Sequence, residues 1–243
     1  MPTFRHGKNI NVFVDEFDFS TYFNSVSAST TVDTAETSAF GTSAKTYVVG
    51  HLDGTISLGG MFEGTASTGT DEFFDNALGN ATKALVIIAP EGHGNGYRAI
   101  MAEADNTSYE VSSAIGDIVQ ASAEFQSSES VEHGVILSSG AAVSATGNGT
   151  AVDHGAATTN GGAGFISVPV NTRNGNITVK VQHSADNVTF ADLITFTVVS
   201  SSTTTSQRVE VAAGTTVNRY LRVNYTVAGS SGSATPVVAF TRR

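Results

Sequence analysis

Cysteine is absent from the 243 residues, which excludes disulfides, thiolate metal ligands and cysteine nucleophiles together. Tryptophan is absent too, and proline occurs four times. Charged residues make up only 14 % of the chain, and the basic ones are the scarcer: 12 Lys plus Arg against 22 Asp plus Glu, for a net charge of −10. No apolar run approaches the ~20 residues of a transmembrane helix, and the N-terminal stretch "MPTFRHGKNINVFVDEF" has no apolar segment of signal-peptide length. The expectation is a soluble protein made and assembled in a cytoplasm. A repeat of 20 to 50 residues is also missing, which argues against a solenoid or propeller.

Aliphatic and aromatic residues reach 40 %, enough for a real core in one large or two modest domains. Abundant Val and Thr with many Gly turns favour an all-β protein. Charge is divided unevenly: residues 1–140 hold 18 acidic against 5 basic side chains (−13), residues 141–243 hold 4 against 7 (+3). Such asymmetry suggests two units with different surroundings. An acidic first half cannot grip phosphates, which require Lys and Arg, but it can face nucleic acid as a repelling wall.

The first half reads as strands with one short helix. "NINVFVDEF" alternates Ile10, Val12 and Val14, and "VSASTTVDT" alternates Val26, Ala28, Thr30 and Val32 against Ser27, Ser29, Thr31 and Asp33. "GTISLGGMFEG" continues the pattern, its Gly59–Gly60 pair suggesting a bulge or a close backbone approach. "TDEFFDNALG" predicts a helix capped by Thr70, with Asp71 and Glu72 in its first turn and Gly79 at its end. "KALVIIAP" predicts a strand buried on both faces. "YRAIMAEAD" and "TSYEVSSA" read as two strands paired across Asn106, and "DIVQASAEFQSS" as a half-buried strand with Gln120, Ser122 and Glu124 on its wet face.

From 138 to 163 the composition collapses to small and polar residues, placing a domain junction there: one domain over 1–138, a second over 139–243. The second domain shows six strand candidates, "FISVPV", "NITVKVQHS", "FADLITFTVVS", "QRVEVAA", "RYLRVNYTVAG" and "TPVVAFTRR". Their short spacing predicts a β-sandwich, with "NTRNGN" and "HSADN" as hairpin turns.

Catalytic chemistry finds no constellation to stand on. The six His form no HExxH or similar pair, "GHGNG" and "GNGTAVDHG" open no helix as a phosphate loop must, and no GxSxG elbow exists. Acidic pairs such as Asp15–Glu16 and Glu103/Asp105 read as solvated strand ends. The expectation is a protein that is not an enzyme and carries no metal or cofactor.

One stretch resists this reading. "VDTAETSAFGTSAKTYVVG", Val32 to Gly50, has Phe40 as its only large apolar side chain before Tyr47. Thr37 to Asp53 therefore reads as a long excursion with nothing of its own to pack on, and loops longer than about 12–15 residues are usually functional or disordered.

The run "VDTAETSAFGTSAKTYVVGHLDGTISLGGMFEG" resembles major tail (tail tube) proteins of long-tailed bacteriophages. "VKVQHSADNVTFADLITF" with "RVEVAAGTTVNRYLRVNYTV" is similar to β-sandwich modules appended to phage virion proteins, Phe190 standing where Trp is frequent there. The resemblance implies an all-β fold with one short helix, a tail-tube-type sandwich or barrel followed by a second sandwich. It implies a virion protein whose rings, typically hexameric, stack into a tube through which DNA passes without specific binding. Implied partners are further copies of the chain, a tape measure protein and other tail proteins, with no membrane. Asp33, Gln120, Ser122 and Glu124 are then expected to face the lumen, and Phe40, Lys45 and Tyr47 to contact the next subunit. The alternative is a capsid decoration protein or adhesin whose second domain binds host glycan; the missing Trp removes the strongest sugar-stacking side chain.

Overall fold

The computed structural model of the chain describes residues 5–41, 43–66, 69–128 and 130–243. In chain order its strands are β1 (Asn11–Val14), β2 (Phe17–Asp18), β3 (Phe23–Glu36), β4 (Tyr47–Met61), β5 (Ala84–Ala89), β6 (Arg98–Ser112), β7 (Gln120–Ser127) and β8 (Glu132–Ser139). Then follow β9 (Gly147–Asn148), β10 (Val152–Asp153), β11 (Gly162–Val168), β12 (Ile177–Ser184), β13 (Ala191–Thr195), β14 (Thr205–Val211), β15 (Tyr220–Val227) and β16 (Val237–Arg242). Among the described residues there is one α-helix, α1, which spans Thr70–Ala77 between β4 and β5. The chain is nearly all β, as its composition predicts.

Two compact units emerge. The first comprises Met1–Thr21, Leu85–Met101 and Glu132–Arg243; the second comprises Tyr22–Ala84 and Ala102–Val131. This division differs from the expected boundary at 138/139, because the N-terminal strands share a core with the C-terminal ones. In the first unit the strand order is β14-β11-β16-β8-β6-β5-β1-β2, with β6 contributing its first residues. Phe13, Leu85, Ile87 and Ala89 from β1 and β5 pack in one buried cluster with Ala163, Phe165, Val237 and Ala239 from β11 and β16. Strand β5 is buried at every residue, as its unbroken apolar run predicts.

The opposite face of β11 and β16 builds a sandwich. Ile166, Val168, Val238 and Phe240 alternate with the residues of the first cluster and meet Ile177, Val179, Val181, Leu221 and Val223 of β12 and β15. The second sheet runs β10-β15-β12-β13, with β9 also on β15. All six strand candidates of the second half form. "HSADN" makes the β12–β13 turn, where Asp186 accepts the backbone N–H groups of Val188 and Thr189 and Asn187 is left-handed. "NTRNGN" is not a hairpin turn, since β11 and β12 lie in different sheets. It wraps instead around Arg173, which is fully buried and donates to the carbonyls of Ser144, Gly232 and Ala228 at 2.9–3.0 Å.

The two ends of the first unit's sheet meet at Asp15, in the β1–β2 turn. Its backbone is left-handed (φ 50°), its carboxylate accepts Leu85 N–H at 2.9 Å and Ser206 Oγ at 3.2 Å, and its carbonyl accepts Ser167 Oγ at 2.7 Å. β14 and β11 are thereby tied to the hairpin at the far end of the strand order, and the sheet curls around the Phe13–Phe165 cluster. Burial pushes the Asp15 carboxyl above its usual range, against the opposing pull of those donors. A raised acid pKa means that the folded state holds its proton more tightly than the unfolded one. The ionised form is a burden at neutral pH, relieved as pH falls through the folded pKa. Asp15→Asn keeps the acceptor oxygen, suits the left-handed backbone and discards the charge. Urea unfolding at pH 7 is expected to place it within about 1 kcal/mol of wild type or above it, its advantage shrinking near pH 4, whereas Asp15→Ala loses about 1–3 kcal/mol.

Candidate functional site

The second unit is an antiparallel sheet in which β3 pairs β4, β4 pairs β7 and β7 pairs β6. One face of it is covered by α1. Phe74 is buried, with its ring 5.8 Å from Phe23, 6.0 Å from Phe125 and 6.1 Å from Tyr109. The helix begins at Thr70 as expected, but Gly69 is its N-cap; the Thr70 hydroxyl bonds the backbone of Glu63 instead. Asn106 is not a turn. Its side chain is buried and donates to the Phe74 carbonyl at 3.2 Å, and β6 runs straight through it with a register shift before Ser108. "YRAIMAEAD" and "TSYEV" are thus one strand.

The opposite face is polar across all four strands. Ser25 pairs Gly59, which pairs Ser122, which pairs Glu110; the next row is Ser27, Ser57, Glu124 and Ser108; the next is Ser29, Thr55, Gln126 and Asp105. Gln120 closes the near end opposite Met61 and Ser112, and Thr31 with Asp53 opens the far end. Period-2 alternation along β3 puts Asp33 on this face after Thr31. Four of the sequence-predicted residues, Asp33, Gln120, Ser122 and Glu124, therefore share one surface, joined by Asp53, Asp105 and Glu110. Among the described residues on it, carboxylates are the only charges. The second unit as a whole holds 13 acidic against 2 basic residues, net −11, leaving 9 against 10, net +1, to the first.

Beyond the Thr30–Gly54 pair, β7 no longer accompanies β4, and β3 and β4 continue with only each other. Here the expected 37–53 loop is corrected. Tyr47–Asp53 is strand, paired with Thr31–Glu36, and only 37–46 lies outside the ladder. The turn is tied at its base by Thr37 N–H to Thr46 O at 2.8 Å and an exposed Lys45–Glu36 ion pair at 2.9 Å. Phe40 and Lys45 sit in this turn, Tyr47 at the start of β4.

The ladder contains a bulge where Gly50 and His51 lie opposite Asp33, between the Val32–Leu52 and Thr34–Val49 pairs. A side chain at Gly50 would come 3.2 Å from the Asp33 carbonyl oxygen. The extra residue brings Val49 and Tyr47 onto the face of Leu52 and Val32. That face continues the one on which Ile56 and Leu58 are buried. An apolar stripe thus runs from the core out along the hairpin, where nothing covers it: Leu52 is 55 % exposed, Val49 70 % and Phe40 fully.

Among the described residues no group of three or more His, Asp or Glu side chains could hold a metal ion, and no helix is long and apolar enough to cross a membrane. No protein-family model matches the sequence, and no curated protein does. Solved structures do show likeness. The virion of a native gene transfer agent particle matches at 12 % identity over 53 % of this chain and 97 % of that one, with a TM-score of 0.41. The sheath–tube complex of an extracellular contractile injection system matches at 21 % identity over 55 % and 90 %, TM-score 0.41. The SPP1 Dit protein matches at 12 % identity over 96 % and 98 %, TM-score 0.37. The functional reading therefore stands on the chain's own surfaces.

The hairpin's base depends on one glycine. A Cβ at Gly60 would collide with the Tyr22 carbonyl and lie 2.7 Å from Phe23 Cα, whereas at Gly59 the nearest atom, Ser25 Cβ, is 3.7 Å away. Gly60→Ala is expected to lower stability by about 2 kcal/mol or more and Gly59→Ala to stay within about 1 kcal/mol, read from paired denaturant melts.

Proposed function

We propose that the chain is a structural subunit of a phage-type tail tube, part of the virion and assembled in the host cytoplasm. Copies join through the second unit into rings, six-fold in the tail proteins the sequence resembles, and the rings stack. The observation that carries this reading is the bare β3–β4 hairpin. A two-stranded ribbon without a covering layer is marginally stable in water, and an apolar stripe led out of the core onto it calls for a layer from another molecule. A second copy of the chain is the molecule proposed to supply that layer.

Two further features fit. Strand β3 pairs with β4 alone, so an edge 14 residues long is open among the described strands. Long open edges are aggregation sites unless paired, and closing the sheet into a barrel across subunits removes them. The polar face, with Asp33, Asp53, Asp105, Glu110 and Glu124 and no basic residue, then lines the lumen. Carboxylates there repel phosphates and let DNA slide past without specific binding. Phe40, Lys45 and Tyr47 reach the next ring, the first unit, which holds residues 139–243, decorates the tube, and a tape measure protein and other tail proteins complete the partners. The adhesin alternative gains nothing from Phe190, whose ring is covered by the Arg222 guanidinium 3.8 Å from its centroid.

Negative-stain images of the purified chain are expected to show rings and tubes; particles that stay monomeric under all conditions, with tail partners present, would sink the reading. Replacing 32–52 by Asn-Gly, a turn suited to a two-residue hairpin, is expected to leave a folded chain that no longer stacks. Glu110→Lys with Glu124→Lys is expected to confer salt-sensitive DNA retention that wild-type assemblies lack, and DNA binding by wild type would contradict an acidic lumen.

A further inference from the structure

The hairpin has a matching surface at the opposite end of the same sheet. Because β7 is antiparallel to β4, with Gln120 opposite Met61 and Gln126 opposite Thr55, the β6–β7 loop lies at the end away from Glu36 and Tyr47. That loop, "SAIGDIV" over 113–119, is apolar where loops are normally polar: Ile115 is fully exposed and Ile118 59 % exposed. Beside them is a depression of about 290 Å³ lined by Ser112, Ser113, Ala114, Asp117, Ile118 and Gln120. One end of the sheet thus offers a projecting aromatic ring, Phe40, followed by Tyr47 and Val49. The other end offers a shallow hollow in which Ala114 and Ile118 are set among polar side chains.

We infer that the occupant of this hollow is a second copy of the chain, with Phe40 of one subunit seated against Ile118 in the Ser112–Gln120 depression of the next. The inference rests on the tube reading above and names the surface that receives the hairpin. Two arguments favour a second copy over an unrelated partner. The projecting and receiving surfaces sit at opposite ends of one sheet, so a shift along the strands brings each copy's hairpin to its neighbour's loop. Such a head-to-tail contact repeats without limit. Charge adds a weaker match: Lys45, paired with Glu36 at 2.9 Å, sits at the hairpin end, and Asp117 lines the hollow. The 14 residue steps of β4 set the reach. At about 3.3 Å per residue β4 itself spans about 46 Å, and the turn and the loop lie beyond its two ends.

A chain without cysteine is suited to the test. Phe40→Cys and Ser113→Cys are combined in one chain, both at solvent-exposed positions, and the assembled protein is oxidised. A ladder of covalent oligomers that neither single variant gives is expected, and Ile118→Asp is expected to leave rings but cut the number of stacked tubes at least about tenfold. Tubes that form normally in Ile118→Asp and give no 40–113 ladder would overturn this contact while leaving the tube reading standing. A ladder from particles that never form rings would uphold the contact and overturn the tube. Neither ladder nor tubes in any variant or in wild type would remove both. Wild-type far-UV circular dichroism in each variant confirms that folding is intact.

Discussion

The antiparallel pairing of β3 with β4 decides where every side chain of the second unit points. Register in a sheet is all or nothing: a slip of one residue would exchange the buried Ile56 and Leu58 for Ser57 and Thr55. With the register held, one face receives α1 and the other collects serines and carboxylates across four strands. The same pairing then carries on past the point where β7 stops. What makes a core at one end of β4 therefore makes an uncovered apolar stripe at the other, and the bulge at Gly50 keeps that stripe on a single face.

The first unit is governed differently. Its strands come from three separated stretches of chain, and β11 and β16 are buried on both faces because each separates two clusters of apolar side chains. Alternation along these strands does not sort wet from dry, but one core from the other: Phe165 faces Phe13 and Ile87, while Ile166 faces Val179 and Val223. Asp15 closes the curl from a strained backbone, and Arg173 fills a fully enclosed site among carbonyls. Asp15 is half-buried and Arg173 fully so, and each makes several hydrogen bonds, the condition under which burial is tolerable.

Much of this was legible in the residues. The unbroken run Leu85–Ala89, the clean alternation of β7, the helix over Thr70–Ala77, the close approach at Gly59–Gly60 and the six later strands all follow from period and turn chemistry. The polar face of Gln120, Ser122 and Glu124 was legible for the same reason. Tyr47–Asp53 was not, because the bulge breaks period 2 and makes a strand look like a loop. Asn106 misled because a residue favoured in turns was instead buried against the end of α1. The shared core of β1, β5, β11 and β16 had no local signal at all, since pairing between residues so distant in sequence leaves no mark on composition, and the small-residue stretch after 138 imitates a linker.

That shared core also orders events in time. Phe13 and Ile87 emerge from the ribosome early, but part of their cluster, Val237 and Ala239, lies about 225 residues beyond Phe13, a delay of about 10 to 45 seconds at ordinary synthesis rates. The second unit, whose segments end at Val131, is complete well before then. Chains interrupted before β16 would leave the Phe13–Ile87 cluster without Val237 and Ala239, so an unfinished first unit exposes apolar surface that the late strand covers.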